Sequence, residues 1–163
     1  MIDLKQFRSN ASVNGICDEY AILWDNSGSK KHLVDLAFSM KGIDYICDAI
    51  AKGWGISPQY ICDKFGAYIN GKYLYDNKYT STLYCMYNGD IECDTTALTL
   101  IDCKVVVTIP EYHICEIYAT GNTEIRLKGK GSVVVIAYGD AKDVVVIADE
   151  NIHYKRIQKK DRD

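Results

Sequence analysis

No run of this 163-residue sequence is apolar for the roughly 20 residues that a membrane-spanning helix needs. The opening stretch, MIDLKQFRSN, holds nothing that could serve as the apolar core of a signal peptide. A dominant charge is missing too: 19 Lys and Arg against 22 Asp and Glu leave a net charge of −3. That balance gives no global attraction for nucleic acid or an anionic membrane. The cysteines at 17, 47, 62, 85, 93, 103 and 115 form no CxxC pair, and seven is an odd number, which argues against a secreted disulfide framework. These absences predict a cytoplasmic protein with no membrane partner, whose thiols are reduced and act as small buried hydrophobes.

What is present is a set of β-branched runs: Val105-Val106-Val107-Thr108-Ile109, Val133-Val134-Val135-Ile136-Ala137 and Val144-Val145-Val146-Ile147-Ala148. A strand with one wet face alternates apolar and polar residues, but these are apolar at both parities. One face belongs to a core; the other must be covered by helices or by another copy of the chain. Thirteen tyrosines add residues suited to half-buried strands and to recognition surfaces.

The first half has helical spacing. Ser27-Gly28-Ser29 offers a cap, and Leu33, Leu36, Ala37 and Met40 follow. After an interruption at Gly42, Ile43, Ile46, Cys47, Ile50 and Ala51 keep the period as far as Gly53. A third helix starts at Ser57 with Pro58 in its first position, where a missing N–H costs nothing. The segment Ile22-Leu23-Trp24 fits either structure type.

Beyond it the period changes. Asn70-Gly71 and Asn88-Gly89 are each flanked by strand-like residues and predict hairpins, since Asn-Gly supplies the two positive φ angles of a type I′ turn. From Thr95 onward short strands recur every ten residues or so: 114–119, 124–127, 132–137 and 143–148. Two architectures fit, a short β-solenoid or roll of stacked rungs and an antiparallel meander or sandwich. The ten-residue steps Cys93, Cys103 and His113 favour the roll. The basic stretch from Lys155 to Asp163 reads as a solvated tail.

Candidate chemistry is sparse. Ala51, Gly55, Ile56, Ser57 and Ile61 resemble a DNA-reading helix-turn-helix over 51–65, with Gln59, Tyr60 and Lys64 on the face that would meet DNA. Those few groups are thin for phosphate neutralisation, so a compact helix corner is the competing reading and nucleic acid is not the expected partner. Cys93, Cys103, His113 and Cys115 are zinc-type ligands without the paired spacing of a structural zinc site, although His113 and Cys115 share a strand face. Asp140, Asp143, Asp149 and Glu150 sit at turns, where a roll could align carboxylates for polysaccharide cleavage, yet Asp is also an ordinary turn residue. Gly129-Lys130-Gly131-Ser132 matches neither phosphate-cradle spacing and is a turn. No catalytic residue, metal ligand or cofactor site is assigned.

The stretches Ile50 to Pro58 (IAKGWGISP), Tyr68 to Tyr73 (YINGKY) and Ile114 to Tyr118 (ICEIY) resemble proteins encoded by gut Bacteroides-type bacteria and their prophages and other mobile elements. That family has no established activity; the resemblance implies an accessory role of phage or mobile-element type and carries over no site residue.

The sequence therefore predicts an α+β protein, a helical layer over 1–66 and a β-rich half over 67–163 packed as one domain. The expected function is non-enzymatic: a self-associating structural or interaction protein forming a homo-oligomer, with a protein partner as a further option. Its expected interface is a valine-rich strand face that includes Val133, Val135, Val144 and Val146. A sequence-specific DNA-binding protein is the first alternative, and a small hydrolase or glycan-active enzyme the second.

Overall fold

Strands joined by corners of a few residues cannot be parallel neighbours in one sheet, because that pairing requires a long crossover. The chain avoids the restriction by sending consecutive strands to two different sheets. A computed structural model describes residues 8, 9, 25, 26, 29–71 and 81–159. One sheet holds β1 (Ser81–Cys85), β3 (Ala97–Ile101), β5 (Ile114–Thr120), β7 (Ser132–Ala137) and β9 (His153–Gln158). The other holds β2 (Asn88–Glu92), β4 (Lys104–Ile109), β6 (Thr123–Gly129) and β8 (Val144–Ala148). Every pairing is parallel. Ser81 lies beside Ala97, 16 positions on, and Ser132 beside His153, 21 positions on, so the chain winds as a β-solenoid of roughly four turns. The roll is thus the architecture, and the antiparallel meander is excluded.

Paired residues of parallel strands point the same way, so each turn adds one layer to the interior. Leu98, Leu100, Val105, Val107, Ile117, Ile125, Leu127, Val133 and Val135 fill it, each exposed by 4% or less. The outer face of the odd-numbered sheet is covered by helices α1 (Lys30–Ala37), α2 (Met40–Lys52) and α3 (Pro58–Phe65). Ala97, Ile101, Tyr118 and Tyr138 form one buried cluster with Phe38, Ile43, Ile46, Ile61 and Phe65. This is why β3 is buried at both parities. Polar pins join the layers: Thr120 Oγ1 donates to Cys47 O at 2.9 Å, while Tyr138 OH and Lys159 Nζ both donate to Asp44 Oδ1 at 2.6 Å.

The helix boundaries follow from caps. Ser39 Oγ accepts from Gly42 N–H, which starts α2 at Met40, so the break falls at Phe38–Ser39 and Gly42 lies inside the helix. Ser57 Oγ accepts from Tyr60 N–H, and Pro58 opens α3 as expected. Ser29 Oγ receives His32 N–H ahead of α1. Ser27, Gly28 and Ile22-Leu23-Trp24 lie outside the described residues.

Three expectations are corrected. Asn88-Gly89 is not a hairpin turn; Asn88 begins β2, and the corner falls at Met86, whose φ is +51°. A type I′ turn joins strands of one sheet, whereas β1 and β2 belong to different sheets. The segment before Asn70-Gly71 is a 3₁₀ turn (Gly66–Tyr68) instead of a strand, and the would-be partner Tyr73–Tyr75 lies outside the described residues. Finally, the basic stretch from Lys155 is not all tail: His153–Gln158 adds β9 to the odd sheet.

Each end of the coil is closed by polar groups. At the first turn, Asn70 N–H donates to Leu83 O at 2.8 Å and Asn70 Oδ1 accepts from Cys85 N–H at 3.0 Å, satisfying two groups on the free edge of β1. At the last turn the inward positions of β9 are Tyr154, Arg156 and Gln158, where the preceding turn carries Val133, Val135 and Ala137. Arg156 reaches across the end to Val144 O (2.7 Å), Ala141 O (3.1 Å) and Gln158 Oε1 (2.7 Å), and Gln158 Nε2 donates to Gly139 O at 2.7 Å. Among the described residues, no helix is long and apolar enough to cross a membrane.

Candidate functional site

The outer face of the even-numbered sheet carries no helix of the described residues. Register sets its rows: Asp90, Val106, Arg126 and Ile147 stand side by side, and so do Asn88, Lys104, Glu124 and Val145. A shallow groove of about 280 Å³ runs across it, lined by Asp90, Lys104, Val106, Arg126, Val145 and Ile147. Val145 is 44% exposed and Ile147 61%. Charges frame these apolar groups, including ion pairs at 3.4 Å between Lys104 and Glu124 and between Arg126 and Asp149.

The expected interface row is turned the other way. Val133, Val135 and Val144 are 2%, 0% and 0% exposed inside the coil, and Val146 is half-buried on the same inner side. The axis of a solenoid takes one parity of every strand, so the row left to solvent on β8 is Val145 and Ile147. Val134 and Ile136, the outward parity of β7, are half-buried on the helix-covered sheet.

Helix α3 is a packed corner. Ile56, Ile61 and Phe65 are buried at 4%, 0% and 1%. Of the three candidate DNA contacts, Tyr60 is 6% exposed and points into the core, Gln59 is exposed and donates to Asp63 Oδ1 at 2.8 Å, and Lys64 is half-buried. A buried Tyr60 cannot reach a base edge in this conformation.

The turn carboxylates hold corners. Asp143 Oδ2 accepts from Asp140 N–H at 2.9 Å, Asp149 pairs with Arg126, and Glu150 is exposed. Asp140 and Asp143 border a polar cavity of about 410 Å³ with Asp48, Lys52 and Lys159, while Asp149 and Glu150 lie beyond it.

The thiols are more organised than their spacing suggests. Cys93, in the corner after β2, is hydrogen-bonded to Cys115 of β5 with the sulfurs 3.0 Å apart. His113 Nε2 lies 2.7 Å from Thr95 O and 3.9 Å from Cys93 Sγ. A carbonyl can only accept, so Nε2 carries the proton and turns its N–H toward this corner. His113 and Cys115 therefore do converge, on Cys93, another of the four zinc-type residues of the sequence. Cys103 does not join them; its thiol faces Tyr84 O and Ile101 O. The hydrogen bond from Cys115 does most to hold the Cys93 thiol below its ordinary value, and His113 adds to it; the same bond, with burial, pushes Cys115 up. Burial does most to raise Cys47 and Cys85, with the carboxylates of Asp44 and Asp48 adding at the first and the neighbouring Cys62 thiol at the second. No group of three or more His, Cys, Asp or Glu among the described residues could hold a metal ion.

No family model, curated protein or solved structure matches the chain. Two features stand out among the described residues: an apolar, charge-framed sheet face, and a hydrogen-bonded pair of thiols beside His113.

Proposed function

We propose that this protein is a non-enzymatic structural or interaction protein that associates with its own copies through the outer face of the even sheet. The observation that carries this reading is the exposed Val145–Ile147 pair on the outer face of the even sheet; the other exposed large apolar residues, Met86, Tyr112, Ile114 and Ile157, belong to corners or to the odd sheet. On this face Asp90 and Glu92 of β2 lie two strands from Arg126 and Lys128 of β6, so a second copy related by a two-fold axis can lay acids over bases. Full burial of a Val or Ile side chain is worth roughly 1.5–3 kcal/mol. Scaling by the exposed 44% and 61% and doubling for two copies gives about 3–6 kcal/mol from these residues, enough to help a micromolar dimer once rim contacts are added. A cytoplasmic setting fits the free thiols. An accessory role of phage or mobile-element type rests on the resemblance of IAKGWGISP, YINGKY and ICEIY alone.

Size exclusion with light scattering tests the proposal. A mass of twice 18.4 kDa or more is expected at high micromolar concentration, falling to the monomer for Ile147→Lys with the far-ultraviolet spectrum unchanged. A wild-type monomer at that concentration refutes it.

A further inference from the structure

Cys93, in the corner after β2, and Cys115, the second residue of β5, bring their sulfurs to 3.0 Å in a hydrogen bond, with His113 Nε2 3.9 Å from Cys93 Sγ. Buried thiols that only fill space do not need this convergence; Cys103 and Cys47, for instance, sit without it. We propose that Cys93 and Cys115 are a reversible redox pair, oxidised by hydroperoxides to a disulfide, with His113 as the positioning residue for the attacking sulfur. This proposal is independent of the sheet-face reading.

The chemistry balances within the named groups. Cys93, as thiolate, attacks one oxygen of the peroxide; the S–O bond forms, the O–O bond breaks, and the hydroxide released takes the Cys115 proton to become water. The Cys115 thiolate then attacks Cys93 Sγ, the S–S bond forms, and the expelled hydroxide takes up the proton that Cys93 gave to solvent. Two thiols and one peroxide yield one disulfide and two waters, with two electrons passing from sulfur to oxygen. The lowered thiol at Cys93 and the proton kept on Cys115 suit these successive roles.

Access is short. The two sulfurs are 2% and 1% exposed by residue, but the corner around them includes exposed Asp94 and Thr96, half-buried His113 and Ile114 at 70%. The disulfide would tie the corner after β2 to the start of β5 across 22 positions of the chain.

The test uses the full chain, reduced, desalted and treated with one equivalent of hydrogen peroxide, then alkylated and mapped by peptide mass spectrometry. A Cys93–Cys115 cross-linked peptide is expected, lighter by two hydrogens, reversed by dithiothreitol, with the other thiols still alkylated. The melting temperature of the oxidised form should rise by about 6–12 °C. His113→Gln should slow cross-linking several-fold and move the pH midpoint of Cys93 alkylation upward, a shift that a purely structural role would not produce. Cross-links between other cysteines, over-oxidation of Cys93 with Cys115 free, or no peroxide consumption each overturn the proposal. The wild-type mapping needs no variant to fold.

Discussion

Changing Gly129 to alanine tests the stacking of turns directly. Gly129 is the last residue of β6 and pairs with Ile109 of β4, the equivalent place one turn earlier. Its φ is +102°, and a Cβ built there would lie 2.1 Å from Ile109 O and 3.0 Å from Ile109 C. The carbonyl cannot step aside freely, because it accepts Lys130 N–H and Gly131 N–H, both at 3.2 Å. Left-handed backbone costs a residue with a Cβ about 1–2 kcal/mol. Overpacking against fixed atoms adds about 1–3 kcal/mol, and one weakened hydrogen bond about 1 kcal/mol. The expected loss is about 3–6 kcal/mol, or roughly 10–20 °C in melting temperature for a domain of this size. Gly53→Ala is the control. That residue also has positive φ, +69°, but nothing lies within 4 Å of its Cβ, so only the backbone term of about 1–2 kcal/mol remains. Scanning calorimetry of both variants gives the comparison. Only stacked turns bring 109 and 129 together, so equal melting temperatures for the two variants would refute the stacked geometry.

Parity on β8 gives a second test: Val144→Lys should prevent folding, because it places a charge inside the coil, whereas Val145→Lys should change monomer stability by no more than about 0.5 kcal/mol in urea titration. Arg156→Ala should cost about 1–3 kcal/mol by leaving Val144 O and Ala141 O short of donors, and hydrogen exchange should quicken in β8 and β9 before other strands. Alkali should destabilise the fold. Burial pushes the Cys103 thiol from an ordinary 9.0 up to about 11, so between those values the unfolded chain gives up a proton that the folded chain keeps, and calorimetric stability falls as pH rises through that window.

Which parts of this arrangement could be read from sequence depends on how local each signal is. The two-sided apolarity of 133–137 was a sound pointer, since Val133 and Val135 fill the coil while Ile136 packs against the helical layer. The corner at Ser57-Pro58 was legible because a cap and its helix lie within four residues. Parity was not: Val144, Val145, Val146 and Ile147 are chemically alike, and only the winding of the coil decides which side is inside. The Asn88-Gly89 signal failed for a related reason, since turn chemistry reports local backbone preference but not whether the flanking strands share a sheet. Strand β9 was hidden by charge, because Lys155 and Arg156 look like a solvated tail until Arg156 is seen to bond the carbonyls that end the coil. The Cys93–Cys115 contact is set by turn length, and turns that vary between 16 and 21 positions leave no fixed repeat to read.

The two end closures bear on what kind of assembly the sheet face can support. A solenoid with a bare last turn presents edge strands that template another copy, and head-to-tail pairing of that sort grows filaments without limit. Here Asn70 satisfies the Leu83 carbonyl and the Cys85 amide at one end. At the other end, Arg156 and Gln158 take the inward positions where a further turn would need apolar side chains, and they spend their donors on Val144 O, Ala141 O and Gly139 O. Stacking a second coil on that end would bury a guanidinium in the joint and forfeit those bonds, a cost that a lateral contact does not carry. A lateral face has no such obstacle. Its apolar pair and alternating charges are the same on every copy, so pairing by a two-fold axis uses both faces at once and leaves none to propagate. On the proposed reading, axial closure and a self-complementary side favour a finite assembly over a filament.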